Sequence, residues 1–253
     1  RRKRNTIVSI KDENDIVHFK PTQIANTFVN YFRYIFSSFN NNVGRPFLGT
    51  QPLIQPNDFT YSIPDKQEIL QILKEMKLNA SPGPDGFIGA FFQRAWQIIK
   101  PNIMAVMLKL YVGDTRGFAK LNKAHIILIP KKPDAEEVGD YRPISSIHSI
   151  PKLFAKFLAN RLRSQMLEIV ATNQSAFIKG RHLHDNFLLG RQVARKIHAK
   201  RGPGVFMKLD ISRAFDSLSW TFLFEVMRAK GFGQRWMTWI MAILHSASTK
   251  VVV

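Results

Sequence analysis

The stretch Met207-Lys208-Leu209-Asp210-Ile211, running on into Ser212-Arg213-Ala214-Phe215-Asp216, holds the carboxylate of this chain best placed for chemistry. Val205, Met207, Leu209 and Ile211 alternate with Phe206, Lys208 and Asp210, which predicts a strand with one wholly apolar face. Asp210 falls on the other face, near the end of that strand, where a rigid element could hold a divalent metal. Such a carboxylate suits Mg²⁺, which bridges to nucleotide phosphates and stabilises attacking and leaving oxygens. The plainer alternative is an amphipathic strand whose last Asp faces water. Phe215 follows at the expected strand-to-helix turn. A ring there is either core or, against a nucleotide sugar, a block that excludes a 2′-hydroxyl by volume.

Three other groups of residues could bind. Lys131, Lys132 and Arg142 lie on a short basic hairpin; its tip is either solvated or able to grip a triphosphate, Lys as a point charge and Arg bidentately. The loop Asn79-Ala80-Ser81-Pro82-Gly83-Pro84-Asp85-Gly86 is a tight connection or a stiff contact for a nucleic-acid backbone. The third group is a basic stretch. Between residues 152 and 201, eleven Lys and Arg face only Glu168 and Asp185, which leaves the positive charge without internal counter-ions and points to a nucleic-acid track. His182, His184 and Asp185 are too closely spaced, and too few, for a metal site.

Composition agrees with a polyanionic partner. The 253 residues carry 37 Lys and Arg against 18 Asp and Glu, a formal charge of +19, and nucleic acid is the partner that best relieves it. No apolar run reaches membrane-spanning length and no signal-like start is visible, so a membrane partner is not expected. The absence of cysteine removes disulfides and thiolate zinc sites, and fits an intracellular protein. With 45% hydrophobic residues the chain can bury a sizeable core.

The elements that must position these groups follow from periodicity and punctuation. Arg1-Arg2-Lys3-Arg4 is a basic cluster starting without Met, and the chain reads as a piece of something longer. A hairpin is predicted over 6–19, a helix from Thr22 with Ile24, Phe28, Tyr31, Phe32, Ile35 and Phe39 on one face, and a linker over 40–60. Pro64-Asp65 opens a helix bearing Ile69, Ile72, Leu73 and Met76. After the 79–86 loop comes a helix with Phe91, Phe92 and Trp96, restarted by Pro101 toward Tyr111. Strands are expected over 124–130 and 143–147, and one helix from Pro151 through Ile169. A loop over 174–181 and a basic helix to Lys200 lead to the strand ending at Ile211. A helix from Ser219, a second with Trp236 and Trp239 in the core, and a strand from Thr249 complete the chain. The fold class is α+β and helix-rich.

Taken in order, the motifs resemble the reverse transcriptases of non-LTR (LINE-type) retrotransposons, of the kind abundant in plants. NASPGPDGF at 79–87, HIILIPKKPD with DYRPIS at 125–146, NQSAFIKGR at 173–181 and LDISRAFDSLSW at 209–220 carry the likeness, and the helix PKLFAKFLANRL at 151–162 sits where that family has one. The resemblance implies a right-hand polymerase fold, with an N-terminal extension over 1–60, fingers over 61–200 and the palm from 201. It makes Asp210 a catalytic, metal-binding carboxylate with the Ile211 carbonyl beside the same Mg²⁺, and Phe215 the residue that screens out ribonucleotides. Arg142, with Lys131 or Lys132, would lie near the incoming triphosphate. Nucleic acid would run past Asn79, Ser81, Gly83 and Asp85, past Gln174, Lys179 and Arg181, and along Arg191, Arg195, Lys196 and Lys200. The implied partners are an RNA template, a DNA primer and deoxynucleoside triphosphates, and the implied cofactor is a pair of Mg²⁺ ions. Asp216 is expected to cap the following turn.

Ser146 stands where the family more often has Leu, and Arg213 where it often has Lys. The family's Gln-Gly segment and aromatic–Ala–Asp–Asp hairpin are not found before residue 253, so the chain alone is expected to be inactive. A relic that only grips RNA, or a maturase-like RNA-binding protein, is the alternative reading.

Overall fold

Apolar residues at positions 24, 28, 32 and 35 put one stripe on the helix α1, Pro21–Ser37, and that stripe needs a surface to cover. In the computed structural model, which describes residues 6–37, 61–201, 204–205, 207–211, 216 and 218–253, a three-stranded sheet supplies it. The sheet is built from β3 (Lys123–Pro130), β4 (Tyr141–Ile147) and β5 (Ser248–Val252) in the order β4-β3-β5. β3 and β4 pair antiparallel as a hairpin, Ile129 opposite Arg142 and Pro130 opposite Tyr141. β5 joins β3 in parallel, Ile126 opposite Val251. Ile24, Phe28, Phe32 and Ile35 of α1 close over Ile126, Leu128 and Tyr141, with Phe28 edge-on to Tyr141 at 5.3 Å. A short hairpin of β1 (Ile10–Lys11) and β2 (Val17–His18) adds Ile10 to the same core.

The chain divides into two compact units. The first takes the described residues of Arg1–Asn42 together with Tyr61–Leu158 and Gln234–Val253. Besides the sheet it holds α2 (Lys66–Glu75), α3 (Gly89–Arg94), α4 (Trp96–Tyr111), the single turn α5 (Phe118–Leu121), most of α6 (Ser149–Leu162) and α10 (Gln234–His245). Asp65 caps α2, its carboxylate accepting from the Gln67 N–H at 2.8 Å, and this bond holds the carboxyl below its usual range. The α10 tryptophans are core, as their spacing predicts: Trp236 and Trp239 are each 1% exposed, and the Trp239 indole N–H donates to the Tyr111 carbonyl at 3.0 Å. Buried Asn122 donates to the Ile243 carbonyl at 2.6 Å and to Ser246 Oγ at 2.8 Å, which fastens the end of α10 beside the start of β3.

The second unit, Ala159–Gly233 with the end of α6, contains α7 (Met166–Ile169), α8 (Leu183–Ala199) and α9 (Trp220–Ala229), the last capped by Ser219. The mixed helix and sheet agree with an α+β chain.

Three expectations are corrected. The strand ending at Ile211 is not formed: residues 204–205 and 207–211 have no regular secondary structure, and Val205, Met207, Leu209 and Ile211 are 71% to 86% exposed. A strand exists only by pairing, and among the described residues no strand lies beside this one. The helix break comes at Ala95, and Pro101 rides inside α4, where it forfeits one backbone bond near the helix start. The helix predicted from Pro151 to Ile169 is split at 163–165 into α6 and α7. Among the described residues no helix is long and apolar enough to cross a membrane. Arg1–Arg4, Phe39 and the 40–60 linker lie outside the described residues.

Candidate nucleotide and nucleic-acid site

The β3–β4 hairpin brings Lys131, Lys132 and Arg142 to one end of the sheet, because the antiparallel register sets Arg142 across from Ile129, two residues before Lys131. All three side chains are exposed. The two lysines are already engaged. Lys131 Nζ donates to the Gly139 carbonyl at 2.6 Å, and Lys132 Nζ pairs with Asp140 Oδ1 at 3.0 Å. The hydrogen bond from Lys132 holds the Asp140 carboxyl below the usual carboxylate range, and the same bond raises the Lys132 ammonium. Asp140 Oδ2 also accepts from the backbone N–H groups of Glu136 and Glu137, at 3.1 and 3.3 Å. The turn is therefore organised around one carboxylate that the sequence reading did not single out. Arg142, by contrast, has no ion pair or side-chain hydrogen bond among the described residues, and is the cation of this hairpin most available to a ligand.

The loop 79–86 is latched to the far end of that hairpin. A Cβ on Gly83 would sit 2.2 Å from the Ile147 carbonyl oxygen, so glycine is what lets the two backbones meet. Ser146 Oγ donates to the Pro82 carbonyl at 2.5 Å. Asp85 Oδ2 accepts from the Ser149 N–H at 2.6 Å, the first residue of α6, and lies 3.5 Å from His148 Nδ1. A carboxylate at a helix amino terminus both satisfies an orphan N–H and complements the helix dipole. Asp85 thus ties the loop to β4 and α6, while Asn79 and Ser81 remain exposed. Ser146 thus contributes one of these ties.

In the second unit, Gln174 and Lys179 are exposed on the loop before α8. Arg181 is not a free cation. Its guanidinium donates to four backbone carbonyls, Ala171 at 2.6 Å, Gln174 at 2.8 Å, Val170 at 2.9 Å and Leu167 at 3.3 Å. It organises the loop from within, a role that four local carbonyls dictate and that no one-dimensional pattern displays. Arg191, Arg195, Lys196 and Lys200 are all exposed, and among the described residues none forms an ion pair.

Asp210 and Ile211 lie exposed on the irregular segment described above. Phe215 lies outside the described residues, as do Ser212, Arg213 and Ala214. Among the described residues no three His, Asp or Glu side chains gather as metal ligands. The donor set of Asp210 with the Ile211 carbonyl offers two oxygens, where magnesium takes about six in near-octahedral array. These residues do not by themselves fit a two-ion site.

Comparison with known proteins adds the family. Residues 129–252 match the family described as reverse transcriptase (RNA-dependent DNA polymerase). The chain is 30% identical over 191 residues to "Transposon TX1 uncharacterized 149 kDa protein" of Xenopus laevis, an alignment covering 74% of this chain and 14% of that protein. It is 27% identical over 176 residues to "Retrovirus-related Pol polyprotein from type-2 retrotransposable element R2DM" of Drosophila melanogaster, covering 70% of this chain and 16% of the relative. It is 27% identical over 164 residues to "Probable RNA-directed DNA polymerase from transposon BS" of Drosophila melanogaster, covering 62% and 18%. The chain therefore spans less than a fifth of the length of each of these relatives, which come from a frog and a fly.

Proposed function

We propose, from the chain's membership of the non-LTR retrotransposon reverse transcriptases through residues 129–252, that it serves RNA-directed DNA synthesis as the fingers and first palm segment of such an enzyme. The family match carries this reading. Fingers over 61–200, the palm from 201 and the N-terminal extension before 61 are the proposed partition. An RNA template, a DNA primer and deoxynucleoside triphosphates are the proposed partners, and a plant source is retained from the sequence motifs. Mg²⁺ is the family's ion, and it would supply charge stabilisation at the transferred phosphoryl group. Asp210 is the residue of this chain proposed to meet it.

The chain's own residues have the following parts. Arg142, unpaired and exposed at the hairpin end, would hold the triphosphate bidentately. Lys131 and Lys132 would stand near it, steadied by Gly139 and Asp140. The latch of Gly83, Ser146 and Asp85 keeps β4, and so Arg142, from shifting relative to α6. Asn79 and Ser81 on that loop, Gln174 and Lys179, and the cations of α8 would follow the nucleic-acid backbone, with Arg181 shaping the loop rather than touching phosphate. Phe215 is proposed to bar the 2′-hydroxyl.

The test uses a longer version of the protein that extends primers. Arg142→Ala should raise KM for nucleotide with a smaller change in kcat, and Arg142→Lys should not restore it, because a point charge cannot reproduce the paired N–H geometry. Unchanged nucleotide kinetics in both variants would remove Arg142 from the triphosphate.

A further inference from the structure

The cations proposed to meet the triphosphate stand on or beside residues 131–140, which join β3 to β4. That connection is long for a hairpin, where most loops have about 2 to 5 residues, and a long exposed loop is ordinarily the mobile part of the motif. This one is fastened. Besides the carboxylate of Asp140, its own backbone closes it: the Lys131 N–H donates to the Asp140 carbonyl at 2.8 Å, and the Asp140 N–H to the Glu137 carbonyl at 3.0 Å. The Tyr141 hydroxyl donates to the Ala135 carbonyl at 3.2 Å. Ala135 and Val138 pack against the core between α1 and the sheet.

A further fastening comes from β1, near the other end of the sequence. The Lys11 N–H donates to the Glu136 carbonyl at 2.8 Å, and Lys11 bridges Glu137 in parallel, so β1 lies against the turn as a strand would. Lys11 Nζ pairs with Glu136 Oε2 at 2.8 Å. An exposed ion pair alone contributes little, but here the backbone bond between the same two residues fixes its geometry. β1 is itself anchored, since Ile10 is 1% exposed in the core. Asp12 closes the β1–β2 hairpin, accepting from the Asn14 and Ile16 N–H groups at 2.9 and 3.0 Å and lying 2.8 Å from His18 Nε2. The contacts therefore run without a gap from the core at Ile10 through Lys11 to Glu136. The Glu136 N–H donates to Asp140, and the other oxygen of Asp140 holds Lys132. We infer that β1 is a positioning strut for the nucleotide, with Lys11 acting through Glu136 and Asp140 to set where Lys132 and the turn beside Arg142 stand when a triphosphate arrives. The inference deepens the proposed function and rests on that reading. It makes nucleotide affinity depend on residues that lie outside the family match over 129–252. Lys11 does not touch the nucleotide; it acts by holding groups that do, and binding groups displaced by a fraction of their contact distance lose much of their effect.

The experiment has two arms and three variants. Lys11→Glu sets like charges against Glu136 and Glu137, the double variant Lys11→Glu with Glu136→Lys restores the pair with its polarity reversed, and Arg142→Ala tests the proposed site itself. In the 253-residue chain, amide hydrogen exchange at Glu136, Glu137 and Asp140 should quicken by about 2- to 5-fold in Lys11→Glu and return to wild type in the double variant. Amides of α4 and α10 should keep wild-type rates, which separates a loosened turn from a destabilised fold. In the longer, primer-extending version, Lys11→Glu should raise KM for nucleotide by about 2- to 5-fold, with kcat little changed, and the double variant should restore it. A folding defect alone would lower kcat through the active fraction and leave KM where it was. Wild-type exchange at the turn in Lys11→Glu, an unchanged KM in that variant, or a raised KM that the double variant does not restore would each overturn the strut. In all three cases a raised KM in Arg142→Ala leaves the proposed function standing. If Arg142→Ala and Lys11→Glu both leave KM unchanged, the hairpin does not meet the triphosphate, and the proposed site and the strut fail together.

Discussion

Two helices of equal length show how differently the two units treat the same kind of sequence. α1 and α8 each have 17 residues and a clear apolar stripe. In α1, Ile24, Phe28, Phe32 and Ile35 are buried against the sheet. In α8 no residue is buried: Phe187 is 68% exposed, and Leu183, Leu189, Val193 and Ile197 are also in water. Amphipathic spacing decides that a helix forms and which face is apolar; it does not decide whether anything covers that face. The charges divide in parallel. Several cations of the first unit have local acids, Lys11 with Glu136 at 2.8 Å, Arg116 with Asp114 at 2.8 Å and Lys156 with Glu75 at 3.0 Å. Arg191, Arg195 and Lys196 of α8, and Lys200 just after it, have none among the described residues.

The sharpest test of this contrast exchanges one ring in each helix. Phe28→Ala removes a fully buried side chain and its edge contact with Tyr141, and should cost about 3 to 5 kcal/mol in denaturant unfolding. Phe187→Ala, on the exposed stripe of α8, should stay within roughly 0.5 kcal/mol of wild type. Similar losses at both positions would show that α8 is covered in solution.

A second pair reverses sign. Gly83→Ala forces a Cβ against the Ile147 carbonyl and should destabilise by about 1 to 3 kcal/mol, since backbone must move. Gly190→Ala, within α8 and with nothing inside 4 Å of the added carbon, should stabilise by about 0.5 to 1 kcal/mol. Destabilisation by Gly190→Ala would mean that another surface approaches α8 closely.

The smallest effect is on salt dependence. Replacing Arg191, Arg195, Lys196 and Lys200 with Gln should flatten the log–log dependence of RNA affinity on salt by roughly 0.7 to 0.9 for each phosphate no longer neutralised. Replacing the paired Lys11, Arg116 and Lys156 with Gln should leave that slope where it was. Equal flattening by both sets would break the distinction between paired and unpaired charge.

Much of the candidate site was legible in residue order alone. The hairpin bearing Lys131, Lys132 and Arg142 follows from a run of apolar residues, a polar turn and a second short run. The basic stretch of α8 follows from composition. The opposite outcome met the segment ending at Ile211, which alternates clearly in sequence but formed no strand. β3 had β4 and β5 to pair with, and residues 207–211 have no such neighbour among the described residues. Alternation encodes a face, and only another strand can supply the hydrogen bonds.

By itself the sequence determined the helices and their apolar stripes, the cap at Asp65, the burial of the α10 tryptophans, the net charge and the family. These are local or additive properties, set by neighbours within a few residues or by counting. Tertiary structure alone decided that Asp85 caps a helix 64 residues away, that Gly83 must lack a Cβ to pass Ile147, and that Lys132 is held by Asp140. It also decided that the Arg181 guanidinium gathers four backbone carbonyls around itself. Each of these depends on which carbonyls, carboxylates and rings converge in space, and convergence is a property of the folded chain.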